Sequence, residues 1–457
     1  MSFKNFQKQI CIAMLLCCNA IFTYASIVTP EMFGAKNDGV TDDTEAFKEA
    51  IKTGNDVVLN GVYLINSVRL LSHQKMIGKN GARLIYNNLI LLDGCILKDI
   101  ELDGQWKTKG VTILGSEVQI EECSFLNTKN SVQYYGGLTS ALWIGQYKDL
   151  EDNYIKYNNI RITNCIFDGC EPNDNTSSVL ANKTTARCIL SYGCDNLTIT
   201  NCVFKNLKGY QDSDYIHLRS FEENSSDFPF YDENIEWKGL LPPFYGKSYC
   251  NAKTTIKRCV FYQNDCKSSI KVMSGHIKIE NNTFIVNNAS LNESVYSVVR
   301  MHHSHDVLVK RNKIFVNSGL VGDVVLIGNC LNVKVEGNIV TCGKDSHINS
   351  FVGMSYSKQC DIKYNQFDSF WSTSLLNTEY NRSYMISNNT FKIRNLVDGK
   401  ISLFFQKPNH YAYPSVINGI TVFENNKLIV PANNYDVELS NAYDYVVEFN
   451  NNIIVKN

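Results

Sequence analysis

The sequence predicts an all-β chain wound as a parallel β-helix, a solenoid of short strands stacked coil on coil. The main observation is a repeated motif, in which an apolar residue is followed three positions later by Cys or Asn and two positions after that by a second apolar residue. Between positions 256 and 386 the copies start 23 to 30 residues apart. Residues around each copy alternate at spacing two, as in strands, and hairpin turn signals do not separate the copies.

The central position of the motif changes from cysteine to asparagine along the chain. It is occupied by Cys123, Cys165, Cys202, Cys259, Asn282, Asn312, Asn338, Asn365, Asn389, Asn426 and Asn452, and a degenerate first copy lies at Leu97, Ile100 and Leu102. Equivalent positions of stacked coils are about 4.8 Å apart. We therefore expect the asparagines to form a hydrogen-bonded ladder at a turn that needs a left-handed or bridge conformation. The cysteines are expected to continue it as a buried stack of thiols.

Length and charge describe one domain rather than several. At about 150 residues per domain, a chain of 457 residues would suggest three domains. The repeat runs to the end of the chain without domain punctuation, so we predict a single β-helix domain over residues 26–457. A net charge of -1 provides no global attraction for nucleic acid, and an anionic ligand would need a local patch. We predict no membrane span, and the sequence makes no prediction of oligomeric state.

Residues 1–25 have the pattern of a cleaved signal peptide. Lys4 and Lys8 precede a short apolar run that ends near a small residue, Ala25. This predicts a secreted or periplasmic protein, with lipoprotein anchoring through Cys17 or Cys18 as the alternative. Cleavage would leave 13 of the 16 cysteines, an odd number, and a chain of this length has its own core. We therefore expect neither a disulfide scaffold nor a cysteine metal site.

Three intervals in the repeat are longer than the base period. They predict inserted loops at about residues 127–158, 169–185 and 220–253. The last is rich in aromatic residues: Phe221, Phe228, Phe230, Tyr231, Trp237, Phe244, Tyr245 and Tyr249. Loops on consecutive coils can wall a cleft in which aromatic rings stack on sugars. The alternative is that they cover an exposed face of the coils.

The segment ahead of the first coils resembles a known signature. Residues 33–47 are Phe-Gly-Ala-Lys-Asn-Asp-Gly-Val-Thr-Asp-Asp-Thr-Glu-Ala-Phe, a turn followed by helix N-cap residues and a short amphipathic helix. This string resembles the N-terminal signature of the pectate-lyase-like superfamily, which includes polygalacturonases, polysaccharide lyases and phage tailspike depolymerases. The resemblance implies a right-handed, single-stranded parallel β-helix with an N-terminal capping helix at about residues 30–55. Asp42 and Asp43 would belong to that cap.

A second resemblance concerns chemistry. Lys271 and Arg300 lie on consecutive predicted coils, which looks like the Lys-then-Arg arrangement of alginate lyase and chondroitinase B type β-helix lyases. In that family a Lys-Ser pair follows a strand and an Arg-His-Gly triplet ends the next. Here the family's lysine falls nearest Met273, two positions from Lys271 on the same strand face, and Met301 separates Arg300 from His302.

Basic side chains supply what β-elimination from a uronic acid requires. The C5 carboxylate must be neutralised, the C5 proton removed and the leaving oxygen protonated, and Ca²⁺ can assist on the carboxylate. We predict a basic patch across three coils, and its members are His217, Arg219, Lys271, Arg300 and His302. The resemblance implies a lyase acting on a glycosaminoglycan, alginate or pectin, in which Arg300 neutralises the uronate and Lys271 or a histidine is the base. His276 and His305 fall at a turn, where we expect a structural role.

Two other functions remain open. A hydrolase of the polygalacturonase type needs paired carboxylates, but the one Asp-Asp pair, Asp42-Asp43, lies in the cap, and Gly275-His276 lacks the second glycine of a Gly-His-Gly motif. A non-catalytic carbohydrate-binding β-helix would keep the aromatic loops and need no convergent acid-base groups. Clustering of histidine and arginine beside the long insertions favours an enzyme.

Overall fold

The computed structural model describes residues 27–456 apart from 109, 130–137, 146–156, 172–184, 193, 210–212, 220–252, 265, 288–296, 303, 329, 356, 373, 380–381, 397–399, 405–419, 432–435 and 440–445. In this part of the chain the fold is a right-handed parallel β-helix, which confirms the predicted fold class. The predicted signal segment lies outside the described residues, as do the aromatic residues of the 220–253 loop.

Each coil has three faces. Face 1 is a sheet of 15 strands, all paired in parallel with the equivalent strand of the next coil. Its strands are Ile27–Val28, Asp56–Leu59, Lys75–Gly78, Ile96–Lys98, Gln119–Glu121, Arg161–Thr163, Leu197–Thr200, Thr254–Lys257, Gly275–Glu280, His305–Lys310, Leu331–Glu336, Lys358–Lys363, Arg382–Ser387, Ile420–Glu424 and Val446–Asn450.

Faces 2 and 3 belong to one sheet of 22 strands. Face 2 follows the Cys or Asn position of the motif, and face 3 comes next and leads back to face 1. The strands are Asp38–Asp42, Val62–Arg69, Arg83–Leu91, Glu101–Asp103, Gly110–Ile113, Ser124–Lys129, Leu138–Ile144, Ile166–Glu171, Thr185–Tyr192, Val203–Leu207, Asp214–Arg219, Val260–Gln263, Ser268–Met273, Thr283–Asn287, Val299–His302, Lys313–Gly328, Ile339–Ser355, Gln366–Ser372, Leu376–Glu379, Thr390–Leu396, Lys427–Val430 and Ile453–Lys456. Lys313–Gly328 and Ile339–Ser355 run over both faces without a break.

Two short strand pairs complete the sheets. Tyr157–Asn158 pairs with Cys194–Asp195, and Lys400–Phe404 pairs with Asp436–Leu439. One predicted loop needs correction here. The interval 127–158 contains Leu138–Ile144, a face-3 strand in register with its neighbours, so only part of this interval departs from the regular coil.

The asparagine ladder is present and buried. From Asn282 to Asn452, each side-chain amide donates to the Oδ1 atom of the next asparagine at 2.9 to 3.1 Å. The sequence suggested that the ladder asparagine itself adopts the left-handed conformation, and this is wrong. The residue before it does so, for example Asn281 with φ 55° and Arg311 with φ 52°. That residue turns the chain, which directs the following side chain into the coil.

Cysteines continue the ladder toward the N-terminus, as predicted. The four ladder cysteines, Cys123, Cys165, Cys202 and Cys259, are buried and form no disulfide. In the last three, the Sγ atom lies 3.6 to 3.7 Å from a backbone carbonyl oxygen of the preceding coil. Beside them, phenylalanine rings stack at 4.5 to 4.9 Å between centroids. These rings belong to Phe125, Phe167, Phe204, Phe261 and Phe284. Thiol and ring stacks together fill the core of the coils that carry the site.

The N-terminal cap consists of a short 3-10 helix, Pro30–Phe33, and an α-helix, Thr44–Lys52. Phe47 of the α-helix is buried and contacts Tyr63 edge to face at 5.3 Å. The Asp43 carboxylate accepts hydrogen bonds from the backbone amides of Lys36 and Asn37, so it holds the entering chain. Within the described residues no helix has the length and apolar character of a membrane span.

Candidate functional site

Five predicted residues lie on the outer side of face 3, next to one another. His217 pairs with Lys271 across neighbouring strands, and Lys271 pairs with Arg300 on the strand after that. We call these three side chains the basic row. Arg219 and His302 lie two positions further along their own strands, on the same side. The predicted patch of five residues is therefore contiguous in space.

Asp214 joins this patch because the strand bends. Tyr215 and Ile216 are both fully buried in the core, so the usual alternation of sides fails between them. Asp214 therefore lies on the same side as His217, three residues later, and its Oδ2 atom is 3.0 Å from His217 Nδ1. Strict alternation along the sequence would have separated the two side chains.

Arg187 enters from the preceding coil. It pairs in register with Asp214, and its side chain is only 3% exposed. The Arg187 Nε atom lies 2.9 Å from His217 Nδ1 and 3.9 Å from Asp214 Oδ2. On the other side of the ring, Arg219 Nε donates to His217 Nε2 at 3.1 Å. The Arg219 guanidinium carbon is 6.0 Å from the centre of the Tyr192 ring, within reach of a cation–π contact.

His217 is neutral in this setting. Burial lowers the pKa of His217 well below its ordinary value, and the charges of Arg187, Lys271, Arg219 and Arg300 lower it further. A neutral imidazole has one N–H donor and one acceptor. Arg219 Nε donates to Nε2, and Nδ1 lies within hydrogen-bond distance of both Arg187 Nε and Asp214 Oδ2.

Arg300 and His302 form a second hydrogen-bonded pair. Arg300 Nε donates to His302 Nε2 at 2.6 Å, and both side chains are half-buried. A Cβ atom at Gly328, the residue paired with His302 on the next strand, would come within 2.8 Å of the imidazole. The glycine therefore leaves the room in which His302 lies.

Positive charge accumulates at this site. Besides burial, the pKa of His217 is lowered by four neighbouring cations, which are Arg187, Lys271, Arg219 and Arg300. Asp214 is the carboxylate in contact with the ring. Lys271 is only 5% exposed. Among the described residues that contact His217 or shift its pKa, cations outnumber carboxylates, and such a local cluster on a chain of net charge -1 is suited to hold an anion. Guanidinium groups also match carboxylates in two-point hydrogen bonding.

Sequence reasoning missed Arg187 and Asp214. Asp214 could have been found only by recognising that Tyr215 and Ile216 both face inward, and nothing in the alternation indicates this. Arg187 lies outside the segments selected by the family resemblance, and its place follows from the register of Thr185–Tyr192 on Asp214–Arg219. His276 and His305, expected at a turn, lie at the corner between faces 3 and 1 beside Asp306.

Comparison with known proteins bears on the fold. No family model matches the sequence, and no curated protein matches it either. Among solved structures, the bacteriophage Phi29 gene product 12 N-terminal fragment is similar, with a TM-score of 0.57 and 12% identity over 93% of this chain and 71% of that one. A mutant tailspike protein of E. coli bacteriophage HK620, solved in complex with a pentasaccharide, has a TM-score of 0.50 and 11% identity over 93% and 78%. These likenesses show the fold alone.

Proposed function

We propose that this protein is a lyase that cleaves a uronic-acid-containing polysaccharide by β-elimination at the basic row. The observation that carries the proposal is the register that aligns His217, Lys271 and Arg300 on consecutive strands of face 3. A carbohydrate ligand is supported by the HK620 tailspike, which has a related fold and was solved with a bound pentasaccharide. The sign of the charge at the row supports an acidic sugar.

The proposed mechanism assigns one role to each side chain. Arg300, oriented by its hydrogen bond to His302, binds the C5 carboxylate and stabilises the charge that develops there. Lys271, nearly buried beside other cations, takes the C5 proton, since this is the setting in which enzyme lysines act as bases. The C5–H electron pair forms the C4–C5 double bond while the C4–O bond breaks. The lysine ammonium then protonates the leaving oxygen.

His217 supports this arrangement without itself exchanging a proton. It is fully buried, its Nε2 atom accepts from Arg219, and its Nδ1 atom contacts Asp214 and Arg187. The ring therefore fixes the direction of the Arg219 guanidinium, which can bind a second acidic group of the polymer. We propose that His217 and Asp214 are positioning residues.

The spacing of two carboxylates on face 3, Asp214 and Asp323, favours elimination over hydrolysis within the described part of the chain. Asp214 lies two residues before Ile216, and Asp323 lies two residues before Val325. Ile216 and Val325 belong to one line of paired residues across four neighbouring strands, namely Ile216, Ile270, Val299 and Val325. The two carboxylates are thus three strands apart, about 14 Å at the spacing of parallel strands. Glycosidases hold their two carboxyl groups about 5 to 9.5 Å apart. Asp214 is also occupied by His217 and Arg187.

The test is a substrate panel combined with a matched pair of variants. Chondroitin sulfate, heparan sulfate, alginate and pectate are incubated with the protein, and the ultraviolet absorbance of the unsaturated uronate product is followed. We expect product from at least one polymer. Arg300→Ala should lower kcat/KM by about 100-fold or more, while Arg161→Ala, an exposed arginine on face 1, should leave it unchanged.

Each alternative has its own signature in the same experiment. Unchanged turnover in Arg300→Ala would show that the site lies elsewhere. Reducing ends without ultraviolet absorbance would indicate a hydrolase. Saturable binding of a polymer without either product would indicate a carbohydrate-binding protein.

A further inference from the structure

The corner between faces 3 and 1 brings together His276, His305 and Asp306, which we call the corner cluster. Gly275 pairs with His305 in register, so His276 and Asp306 occupy equivalent positions on successive coils. Both have left-handed backbone conformations, with φ 56° and 52°. The three side chains are partly exposed, at 20 to 38%, so an ion in solution can reach them.

The donor atoms converge on one point. Asp306 Oδ2 lies 2.9 Å from His305 Nδ1 and 3.4 Å from His276 Nδ1. One ligand atom from each residue lies within 4.8 Å of the other two. The two imidazoles meet edge to face, with ring centres 5.0 Å apart and an angle of 84° between planes. Ligand atoms of a tetrahedral zinc site are about 3.3 to 3.5 Å apart. The distance from Asp306 Oδ2 to His276 Nδ1 is already in this range, and the shorter contact with His305 Nδ1 would open slightly.

Neighbouring residues hold the cluster in this arrangement. Asn332 on the next coil donates to Asp306 Oδ1, which leaves Oδ2 directed at the two imidazoles. A Cβ atom at Gly275 would come within 2.3 Å of His305 Nε2, so this glycine makes room for the ring.

We propose that the corner cluster binds a divalent transition-metal ion of the zinc class and thereby links two successive coils. Two imidazoles and one carboxylate are the ligand types of zinc, nickel and copper. Calcium prefers six to eight oxygen atoms and does not suit this set. Three protein ligands leave a fourth position for water. An ion that binds the folded chain and not the unfolded chain raises the melting temperature.

The experiment uses the full chain without an added histidine tag, treated with EDTA and then titrated with zinc in a calorimeter. We expect one ion per chain and a higher Tm with zinc. Cobalt at the same site should give the visible absorption of a low-coordinate complex. His305→Ala and Asp306→Asn should each weaken zinc binding at least about 10-fold, whereas His73→Ala, at an exposed histidine of an earlier coil, should not.

A further variant separates metal binding from folding. Gly275→Ala keeps all three ligands, but its methyl group would displace the His305 ring, so zinc affinity should fall while the Tm without metal changes little. Zinc affinity that is the same in His305→Ala, Asp306→Asn and the unaltered chain would overturn the proposal. So would the absence of saturable zinc binding.

Discussion

His217 is an imidazole that stays neutral among four cations. Its Nε2 atom accepts a hydrogen bond from Arg219, and its Nδ1 atom contacts both Asp214 and Arg187. Protonation would add a further positive charge at a fully buried position and would break the bond from Arg219. The hydrogen bond that orients Arg219 therefore also opposes protonation of His217 in the folded protein.

This resistance makes stability depend on pH. In the unfolded chain His217 has a pKa of about 6.5, whereas in the folded protein its pKa is far lower. The unfolded state thus binds more protons below about pH 6.5, and stability falls there by up to about 1.4 kcal/mol per pH unit. Above that pH the effect disappears. His217→Gln should be less stable at pH 7, but the difference from the unaltered protein should shrink as the pH falls below 6.5, by up to about 1.4 kcal/mol per pH unit.

Urea unfolding at a series of pH values measures this difference. His73→Gln, at an exposed position, is the control and should follow the unaltered protein throughout. Parallel curves for His217→Gln and the unaltered protein would mean that His217 titrates normally.

The asparagine ladder is the element that joins one coil to the next. From Asn312 onward, each ladder oxygen accepts from both the backbone N–H and the side-chain amide of the preceding asparagine. Each ladder amide also donates to a backbone carbonyl, as Asn338 does to Val309. These groups are buried, so every bond in the ladder satisfies a group that water cannot reach.

Removal of one asparagine should therefore be costly. Asn338 accepts two hydrogen bonds from Asn312 and donates to Val309 and Asn365, all at 2.9 to 3.0 Å. Asn338→Ala should lower the free energy of unfolding by roughly 2 to 4 kcal/mol, because it leaves buried partners unsatisfied. Asn317→Ala removes an exposed asparagine of face 2 and should change it by less than about 0.5 kcal/mol. Equal effects of the two substitutions in denaturant unfolding would contradict this role.

Elements were easier to predict than the contacts between them. The motif located the strands on either side of each ladder residue, because the spacing of apolar residues within a few positions is enough to identify a strand. Asp214 was missed because a bend between Tyr215 and Ile216 reverses the side on which earlier residues lie. Such a bend depends on how one coil packs on its neighbours, and a single-strand pattern does not contain that information.

At the scale of the whole molecule, the repeat predicted the solenoid, whereas the basic row was predicted from the family resemblance and the alternation along each strand. The ladder alone does not give the row, because His217 lies 15 residues after Cys202, Lys271 lies 12 after Cys259 and Arg300 lies 18 after Asn282. The corner cluster could not be found in this way. His276 and Asp306 lie together through their shared left-handed conformation, and Asn332 belongs to a third coil. Residues that converge from several coils need the coil boundaries to be known to within one position.

Thiol chemistry tests the packing of the whole solenoid. All 12 cysteines in the described part of the chain are buried. Burial raises the pKa of Cys194 and of Cys330 to about 12, so little reactive thiolate forms. We expect these 12 thiols to react with a thiol reagent orders of magnitude more slowly in the native protein than in urea. Rapid native reaction of more than four of the 16 cysteines would contradict the packing.

Hydrogen bonds between asparagines of neighbouring coils join residues that are separated by very different lengths of chain. Asn201 donates to Asn164 across 37 residues, and Asn365 donates to Asn389 across 24. Because the coil-to-coil bonds do not depend on what lies between them, segments of different length can be accommodated at the edges of face 3 without disturbing the row of functional side chains. In evolutionary terms, the scaffold and the segments between its strands can change independently. Under the proposed function, new substrates would be acquired by exchange of those segments around an unaltered basic row.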